Sequence, residues 1–210
     1  MNENQTQIQE QQQTQIQEVK SNEMTFNGVS FDSLVRASTI FSKAKIIPTT
    51  YQDKPADCFI ALEMAQRMNV APMMVMQNLY MVNGRPAWSS QFIISQINTC
   101  GKFTPLQFEI GGSGDERYCI AYATFKATGE RCESIKVDIK MAKDECWYQK
   151  NGSKWKTMPD LMLRYRAASF FGKFYCPERL MGIASQEEVI EIDPTDYTVE
   201  NVVETVKKLF

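Results

Sequence analysis

The chain is 210 residues long, with 43% hydrophobic and 23% charged residues and a formal net charge of −2, which suits one globular domain with tails. It contains no histidine, and this excludes Ser-His and Cys-His nucleophiles and most zinc sites. No apolar run reaches the roughly 18 residues of a membrane span. The N-terminus is polar and carries no hydrophobic signal-peptide region, so a cytoplasmic protein is expected. The six cysteines form no C-x-x-C pair and are expected to be reduced thiols.

Residues 1–24 are rich in glutamine and nearly free of hydrophobic residues. Such a segment cannot bury enough apolar surface to offset the entropy lost on ordering, so a disordered tail is predicted. The alternative is a helix that forms only within an assembly.

Three helices are predicted next, over residues 33–45, 55–68 and 72–78. Ser30 or Asp32 is the expected N-cap of the first, and a proline opens each of the other two. The methionines of this region are expected to fill gaps in the core, or alternatively to form an adaptable contact between protomers. They are Met68, Met73, Met74 and Met76.

A β-hairpin should follow, with a strand over 79–82 and a tight turn at Asn83 and Gly84. Asn-Gly favours such turns because both residues tolerate a positive φ. Pro86 restricts the returning strand to an edge position or to its first residue, since proline cannot donate a ladder hydrogen bond.

A helix over 91–100, capped by Ser89 or Ser90, should lead into an antiparallel meander. The three predicted strands cover 104–110, 117–126 and 131–138. Between its terminal residues Arg117 and Lys126, the middle strand carries no charge on either face, which indicates a central position. Asp138 could then cap a short helix over 139–144, and the fold class predicted from these elements is α+β, with helices flanking a meander and a hairpin.

A basic and aromatic loop over 150–156 runs into a long helix from Pro159 to about Tyr175. Proline and Asp160 both suit a first helical turn. The helical period places Leu161, Tyr165, Ala168, Phe171 and Gly172 on one face. It places Arg166 and Lys173 on the opposite side, so Arg166 is expected to reach phosphate. Arg164 lies about 200° from Arg166 and is expected to be partly buried beside a partner.

The C-terminal part carries a capping-box pattern from Ser185 to Glu188. Residues 193–210 are predicted to form an acidic linker and a helix whose valine seam requires a partner, either the chain's own core or another protomer. The predicted organisation is a tail over 1–24, a core over 25–192 and this C-terminal segment over 193–210.

The charges are strongly polarised along the chain. Residues 136–173 contain nine basic and four acidic residues, whereas residues 178–210 contain eight acidic and three basic ones. A basic block in an acidic protein favours a nucleic-acid interface.

The basic block supplies most candidates for contact with DNA. Lysines neutralise phosphates, and an exposed tryptophan can stack on a base; the alternative for Trp155 is a plug in the core. Arg85 at the hairpin tip is a long phosphate donor, and the helix start around Gln91 offers free N–H groups, unless its serines serve only as caps. The candidate residues are Arg85, Gln91, Lys143, Lys150, Lys154, Trp155, Lys156, Arg166 and Lys173.

Two other patterns are weaker. Asp138-Ile139-Lys140, with Glu133 nearby, has the D-x-K spacing of metal-dependent nucleases. Asp138 already has a role as a helix cap, however, and no protein metal site is predicted. The glycine-rich segment 111–114 lies between strands and lacks G-K-[ST], so it is interpreted as a hairpin loop and not as a phosphate loop.

Two stretches carry a family resemblance. Residues 155–167 read W-K-x-M-P-x-x-M-L-R-Y-R-A, and residues 174–188 read F-Y-C-P-E-R-L-M-G-I-A-S-Q-E-E. Upstream, residues 61–101 combine a helix, a Q-x-x-Y strand, an N-G-R-P-A turn and another helix. Together these stretches resemble the RecT family of phage and prophage single-strand DNA annealing proteins.

The resemblance implies an ATP-independent protein that coats single-stranded DNA and anneals it to a complementary strand in phage-type recombination, in the cytoplasm of a bacterial host. It implies an α+β core assembled into a homo-oligomeric ring or filament, with DNA, both single-stranded and annealed, in a basic groove. A phage exonuclease and a host single-strand-binding protein are implied partners. No cofactor is implied, and Mg²⁺ would only assist annealing.

The residues that match the family pattern are Asn83, Gly84, Arg85, Pro86, Trp155, Lys156, Pro159, Arg164, Arg166 and Ala167. Two departures affect what is implied. The C-terminal segment after the family-like core is short, which weakens the case for recruitment of an exonuclease or of a host single-strand-binding protein. The segment 170–173 is less basic than the family pattern, which weakens the case for DNA contact through that face of the helix. The alternatives from other classes are a metal-dependent nuclease using Asp138 and Lys140, and a structural phage protein without DNA activity.

Overall fold

The structure is a computed structural model of the chain, and it describes residues 25–26, 28–149 and 153–191. Helices and antiparallel sheets occur together, so the predicted α+β class is confirmed at this level. The chain divides into two compact units between Gln77 and Asn78, a boundary that falls inside the predicted 25–192 core. None of the described helices is both long and apolar enough to cross a membrane.

In the first unit a short hairpin leads into three helices. The hairpin strands are β1 (Thr25–Phe26) and β2 (Val29–Ser30), and the helices are α1 (Phe31–Lys43), α2 (Pro55–Met68) and α3 (Pro72–Asn78). Helix α1 begins two residues earlier than predicted because Ser30 is its cap, with its hydroxyl accepting from the Ser33 N–H at 3.3 Å. The bounds of α2 and α3 are as predicted, and Asn69 ends α2 in the left-handed conformation. Met68 and Met76 are buried, whereas Met74 is exposed.

The second unit begins with the predicted hairpin, β3 (Leu79–Val82) and β4 (Arg85–Trp88). Asn83 and Gly84 have φ values of 50° and 74°, as the Asn-Gly turn requires. A third strand, β9 (Ala184–Ser185), pairs in parallel with β4 from Ala87 onward. Pro86 therefore lies just before this parallel pairing begins, where β4 needs no N–H donor on that side.

The next helix, α4 (Ser90–Thr99), is capped by Ser89 and precedes the meander. The strands are β5 (Gln107–Gly111), β6 (Tyr118–Thr124), β7 (Arg131–Glu133) and β8 (Val137–Asp138). Strand β6 is central, as predicted, and pairs with the other three. Its burial alternates along the strand, so one face lies on the core and the other is half-exposed.

The predicted third strand is in fact two short strands separated by a bulge. The register on β6 shifts by one residue between β7 and β8. Ser134 fills the gap, because its N–H donates to the Ala121 carbonyl at 2.8 Å and its hydroxyl accepts from the Ala121 N–H at 3.0 Å. The bulge removes a backbone partner for the Ala121 N–H, and the Ser134 hydroxyl takes its place as acceptor.

The remaining helices surround the candidate site. They are α5 (Ile139–Asp144), α6 (Lys154–Thr157), α7 (Pro159–Tyr175), α8 (Pro177–Leu180) and α9 (Gln186–Glu191). Helix α7 has the predicted bounds and packs on β6 and α4. Its residue Gly172 permits the close approach of α8 and α4, since an added Cβ would lie 3.0 Å from the Leu180 side chain and 3.3 Å from the Ile97 side chain.

Three predictions lie outside the described residues. These are the tail over 1–24, the DNA-contacting role of Lys150, and the linker and valine-seam helix over 193–210.

Candidate nucleic-acid interface

The two lysines of helix α6 are exposed on either side of a buried tryptophan. Trp155 is 1% exposed, whereas Lys154 and Lys156 are exposed. The hydroxyl of Ser153 caps the helix by accepting from the Trp155 N–H at 3.3 Å. Within the described part of the chain, neither lysine forms an ion pair. Helix α6 therefore presents two uncompensated cations from a segment anchored in the core.

Trp155 is a core residue, so the expectation that it stacks on a base is wrong for this structure. Its ring lies 5.7 Å from the ring of Trp147, which is half-buried. The Ser153 hydroxyl donates to the Trp147 carbonyl at 2.8 Å and joins the two tryptophan segments again. The Trp147 ring thus covers part of the Trp155 side chain and contributes to its burial.

Arg166 completes this aromatic cluster from helix α7. Its guanidinium carbon lies 3.9 Å from the centroid of the Trp147 ring, a cation–π contact. Its Nη1 lies 3.0 Å from Oε1 of Glu188, and both side chains are only 7% exposed. Burial lowers the pKa of Arg166 and the Glu188 carboxylate opposes that shift; arginine remains protonated in either case. The prediction that Arg166 faces solvent and reaches phosphate is therefore wrong.

Lys173 shares the same carboxylate. Its Nζ lies 2.8 Å from Oε1 of Glu188, although the lysine side chain is 44% exposed. The helical period placed Arg166 and Lys173 together correctly. The side that they share is covered by Glu188 of α9, which is distant in sequence, and this is why the predicted solvent exposure fails for Arg166.

Glu188 also closes the predicted capping box. Its Oε2 accepts from the Ser185 N–H at 3.0 Å, and the Ser185 hydroxyl accepts from the Glu188 N–H at 3.2 Å. Burial alone would raise the pKa of Glu188, but Arg166, Lys173 and the backbone hydrogen bond together lower it below its usual value of 4.5. The carboxylate is thus ionised at neutral pH and forms an ion pair with each of the two cations.

Arg164 is exposed, which reverses its predicted burial. It makes no ion pair with the described residues, and it lies near enough to Asp160 to help lower the pKa of that carboxyl, although the hydrogen bond from Arg117 is the main cause. Arg117 binds Asp160 through two nitrogens, at 3.0 and 2.7 Å. Asp160 is therefore engaged elsewhere, and Arg164 remains an exposed cation of α7, the helix that Pro159 opens.

Much of the rest of the basic block is neutralised within the fold. Lys143 pairs with Asp115 at 2.6 Å, so its predicted DNA contact would require breaking this bond. Lys136 lies 3.6 Å from Asp138, and Lys140 pairs with Asp144. The described cations of the block that make no such pair are Lys154, Lys156 and Arg164.

The hairpin candidates have separate surroundings. Arg85 is exposed at the start of β4, directly after the Asn83-Gly84 turn. The Gln91 side chain donates to the Tyr165 hydroxyl at 2.9 Å. Ser89 serves as cap, and Ser90 donates to Glu187 at 2.6 Å. The serines thus have the structural roles that were the alternative to phosphate binding.

The nuclease pattern does not form a metal cluster among the described residues. Asp138 accepts from the Met141 N–H at 2.8 Å and is the cap of α5, as predicted. Glu133 pairs with Arg131 and Lys140 with Asp144. Each group of the D-x-K hypothesis is therefore bound to another partner.

Sequence reasoning missed two parts of this site. Glu188 was identified as a capping residue but not as the partner of Arg166, and Trp147 was not identified as the platform for a guanidinium. No local pattern reports either contact, because both join segments that are far apart in sequence.

No family model, curated protein or solved structure matches this chain.

Proposed function

We propose that the protein binds single-stranded DNA and anneals complementary strands without ATP, using a RecT-like core. The observation that supports this best is the α6 segment, where Lys154 and Lys156 are exposed and Trp155 is buried between them. Two cations held on a fixed anchor neutralise phosphates at a smaller entropic cost than two lysines on a mobile loop.

The chemistry of annealing makes few demands on such a site. The backbone charge must be neutralised and the strand held, while the base edges remain available to the complementary strand. Lysine and arginine suit this requirement because they contact phosphates and leave the Watson–Crick edges accessible. Arg164 adds a third exposed cation on the adjoining helix α7, and Arg85 remains a candidate on the hairpin. With Trp155 buried, the interface that we propose is electrostatic and does not include stacking on this ring.

The active form that we propose is a homo-oligomer, a ring or filament with DNA along a continuous basic groove. In the described part of the basic block, one protomer exposes three cations that make no ion pair, and repetition would multiply them along a strand. A phage exonuclease and a host single-strand-binding protein are the proposed partners, and no cofactor is required.

Annealing of two complementary oligonucleotides, followed on a native gel without ATP, tests the proposal. The protein should accelerate duplex formation, and the double variant Lys154→Gln, Lys156→Gln should lose most of this acceleration. The matched control is Lys140→Gln, which removes a lysine that is already paired with Asp144.

Parallel reactions with and without Mg²⁺, analysed on denaturing gels, separate annealing from nuclease activity. Intact strands are expected in both. Shortening of the strands only with Mg²⁺ would favour a nuclease, and equal annealing by the wild type and the double variant would remove α6 from the interface.

A further inference from the structure

We propose that Arg166 and Glu188 are positioning residues for the α6 lysines, so that the segment 184–191 governs how these lysines meet DNA. We call residues 184–191 the C-terminal strap. The inference deepens the proposed function. Only its statement about DNA binding rests on that function, because the contacts that join Glu188 to α6 through Arg166 can be tested without DNA.

The strap is part of the second unit, and several contacts fix its position there. Its strand β9 pairs in parallel with β4, with Ala184 opposite Ala87 and Ser185 opposite Trp88. Its helix is capped reciprocally by Ser185 and Glu188. Glu188 therefore has a defined place relative to the sheet, and it can serve as a fixed anion for groups that approach from α7.

Arg166 transmits this position to the aromatic cluster. One nitrogen of its guanidinium pairs with Glu188 at 3.0 Å, and the guanidinium carbon lies over the Trp147 ring, 3.9 Å from its centroid. A guanidinium can use its edge for a carboxylate and its face for a ring at the same time, whereas an ammonium cannot. The arginine thus links the strap to Trp147 in a way that lysine would not reproduce.

Trp147 in turn contacts the α6 segment. Its ring packs against Trp155 at 5.7 Å, and its carbonyl accepts from the Ser153 hydroxyl at 2.8 Å. Helix α6 has only four residues, far too few to be stable by its own hydrogen bonds. Its geometry therefore depends on tertiary contacts such as these, and the link from Glu188 through Arg166 and Trp147 contributes to the direction of Lys154 and Lys156.

Tryptophan accessibility provides the first test. Trp88 is 0% exposed and Trp155 1%, whereas Trp147 is half-buried, so acrylamide quenching of the folded protein should report mainly on Trp147. Arg166→Lys and Glu188→Gln should both increase the quenchable fraction, because each breaks one bond of the link. The controls are Arg131→Lys, a guanidinium 3.8 Å over Tyr122, and Glu178→Gln, an exposed carboxylate paired with Lys102. Neither control should change the quenching.

Limited trypsin digestion provides a readout on α6 itself. Cleavage after Lys154 and Lys156, identified by mass spectrometry, should be about tenfold faster in Arg166→Lys and Glu188→Gln, as expected for a local opening equilibrium that shifts by one decade. Circular dichroism at the same temperature must show native helix content, so that global unfolding is not the cause. Wild-type quenching and cleavage rates in both folded variants would overturn the link.

Titration of single-stranded DNA against salt tests the functional half. Arg166→Lys keeps the positive charge, yet it should weaken binding and lower the salt slope toward that of the Lys154→Gln, Lys156→Gln variant. If the lysine variant weakens binding while folded Arg166→Lys binds as the wild type, the positioning role is wrong. If the lysine variant itself binds normally, the proposed function of α6 fails, and digestion and quenching still decide whether the link exists.

Discussion

Arg166 and Glu188 form an ion pair that is almost fully removed from solvent, with 7% of each side chain exposed. The pair joins the long helix α7 to α9, which begins eleven residues after α7 ends. A buried ion pair contributes little net stability by itself, but removing one partner leaves the other charge uncompensated. The pair therefore decides how α7 and α9 dock, and mutations in it should be costly.

Arg166→Ala should lower the free energy of unfolding by about 3 kcal/mol, the lower end of the range for a broken buried pair. The lower end applies because Lys173 still contacts Glu188. Urea denaturation, followed by circular dichroism, measures the change. Lys173→Ala is the control, since it removes the more exposed cation and should cost less; an equal cost for both variants would contradict this ranking.

Acid should weaken the contribution of Glu188 to stability. The pKa of this carboxyl is lowered in the folded protein from its usual value of 4.5, so on acidification the unfolded chain binds this proton first. The contribution is complete above pH 4.5 and is lost as the pH falls through the folded-state pKa. The difference in unfolding free energy between wild type and Glu188→Gln should thus be constant near neutral pH and shrink below pH 4.5. A difference that grows in acid would contradict the direction of the shift.

Local signals predicted the elements well because capping and helix breaking act within a few residues. The proline at the start of α7, the Asn83-Gly84 turn and the Ser185–Glu188 box all lie where the sequence places them. The split between β7 and β8 was missed because a single inserted residue shifts the alternation by only one position, and strands of three and two residues are too short to make that shift evident. The bulge became visible only through the two bonds between Ser134 and Ala121.

The prediction of burial on α7 failed for a different reason. The period of a helix indicates which side chains share a side, and Arg166 and Lys173 do share one. It cannot indicate what covers that side. Here an acidic residue from α9 covers it, while Arg164 is left exposed. A charged side chain on a helix therefore faces either solvent or a buried counterion, and only the tertiary structure shows which.

The cysteines should differ widely in reactivity toward thiol reagents. Burial raises the pKa of Cys119 to about 11 and that of Cys176 to about 12, and both thiols are fully buried. Cys146 is exposed. Since the thiolate is the reactive form, timed alkylation at pH 8 with mass spectrometry should label Cys146 first and Cys119 and Cys176 last. Rapid labelling of Cys176 in the folded protein would show that the α7 C-terminus opens readily.

Arg164→Ala should weaken DNA binding without affecting the fold. The side chain is exposed and makes no ion pair with the described residues, so the free energy of unfolding should change by no more than about 0.5 kcal/mol. If Arg164 neutralises one phosphate, the slope of log affinity for single-stranded DNA against log salt should fall by about 0.7. Lys126→Ala is the matched control, because it removes an exposed cation that follows β6, outside the basic block. Equal reductions of the salt slope in the two variants would indicate a general effect of lost charge. A marked decrease in the free energy of unfolding of Arg164→Ala alone would indicate that Arg164 has a structural role.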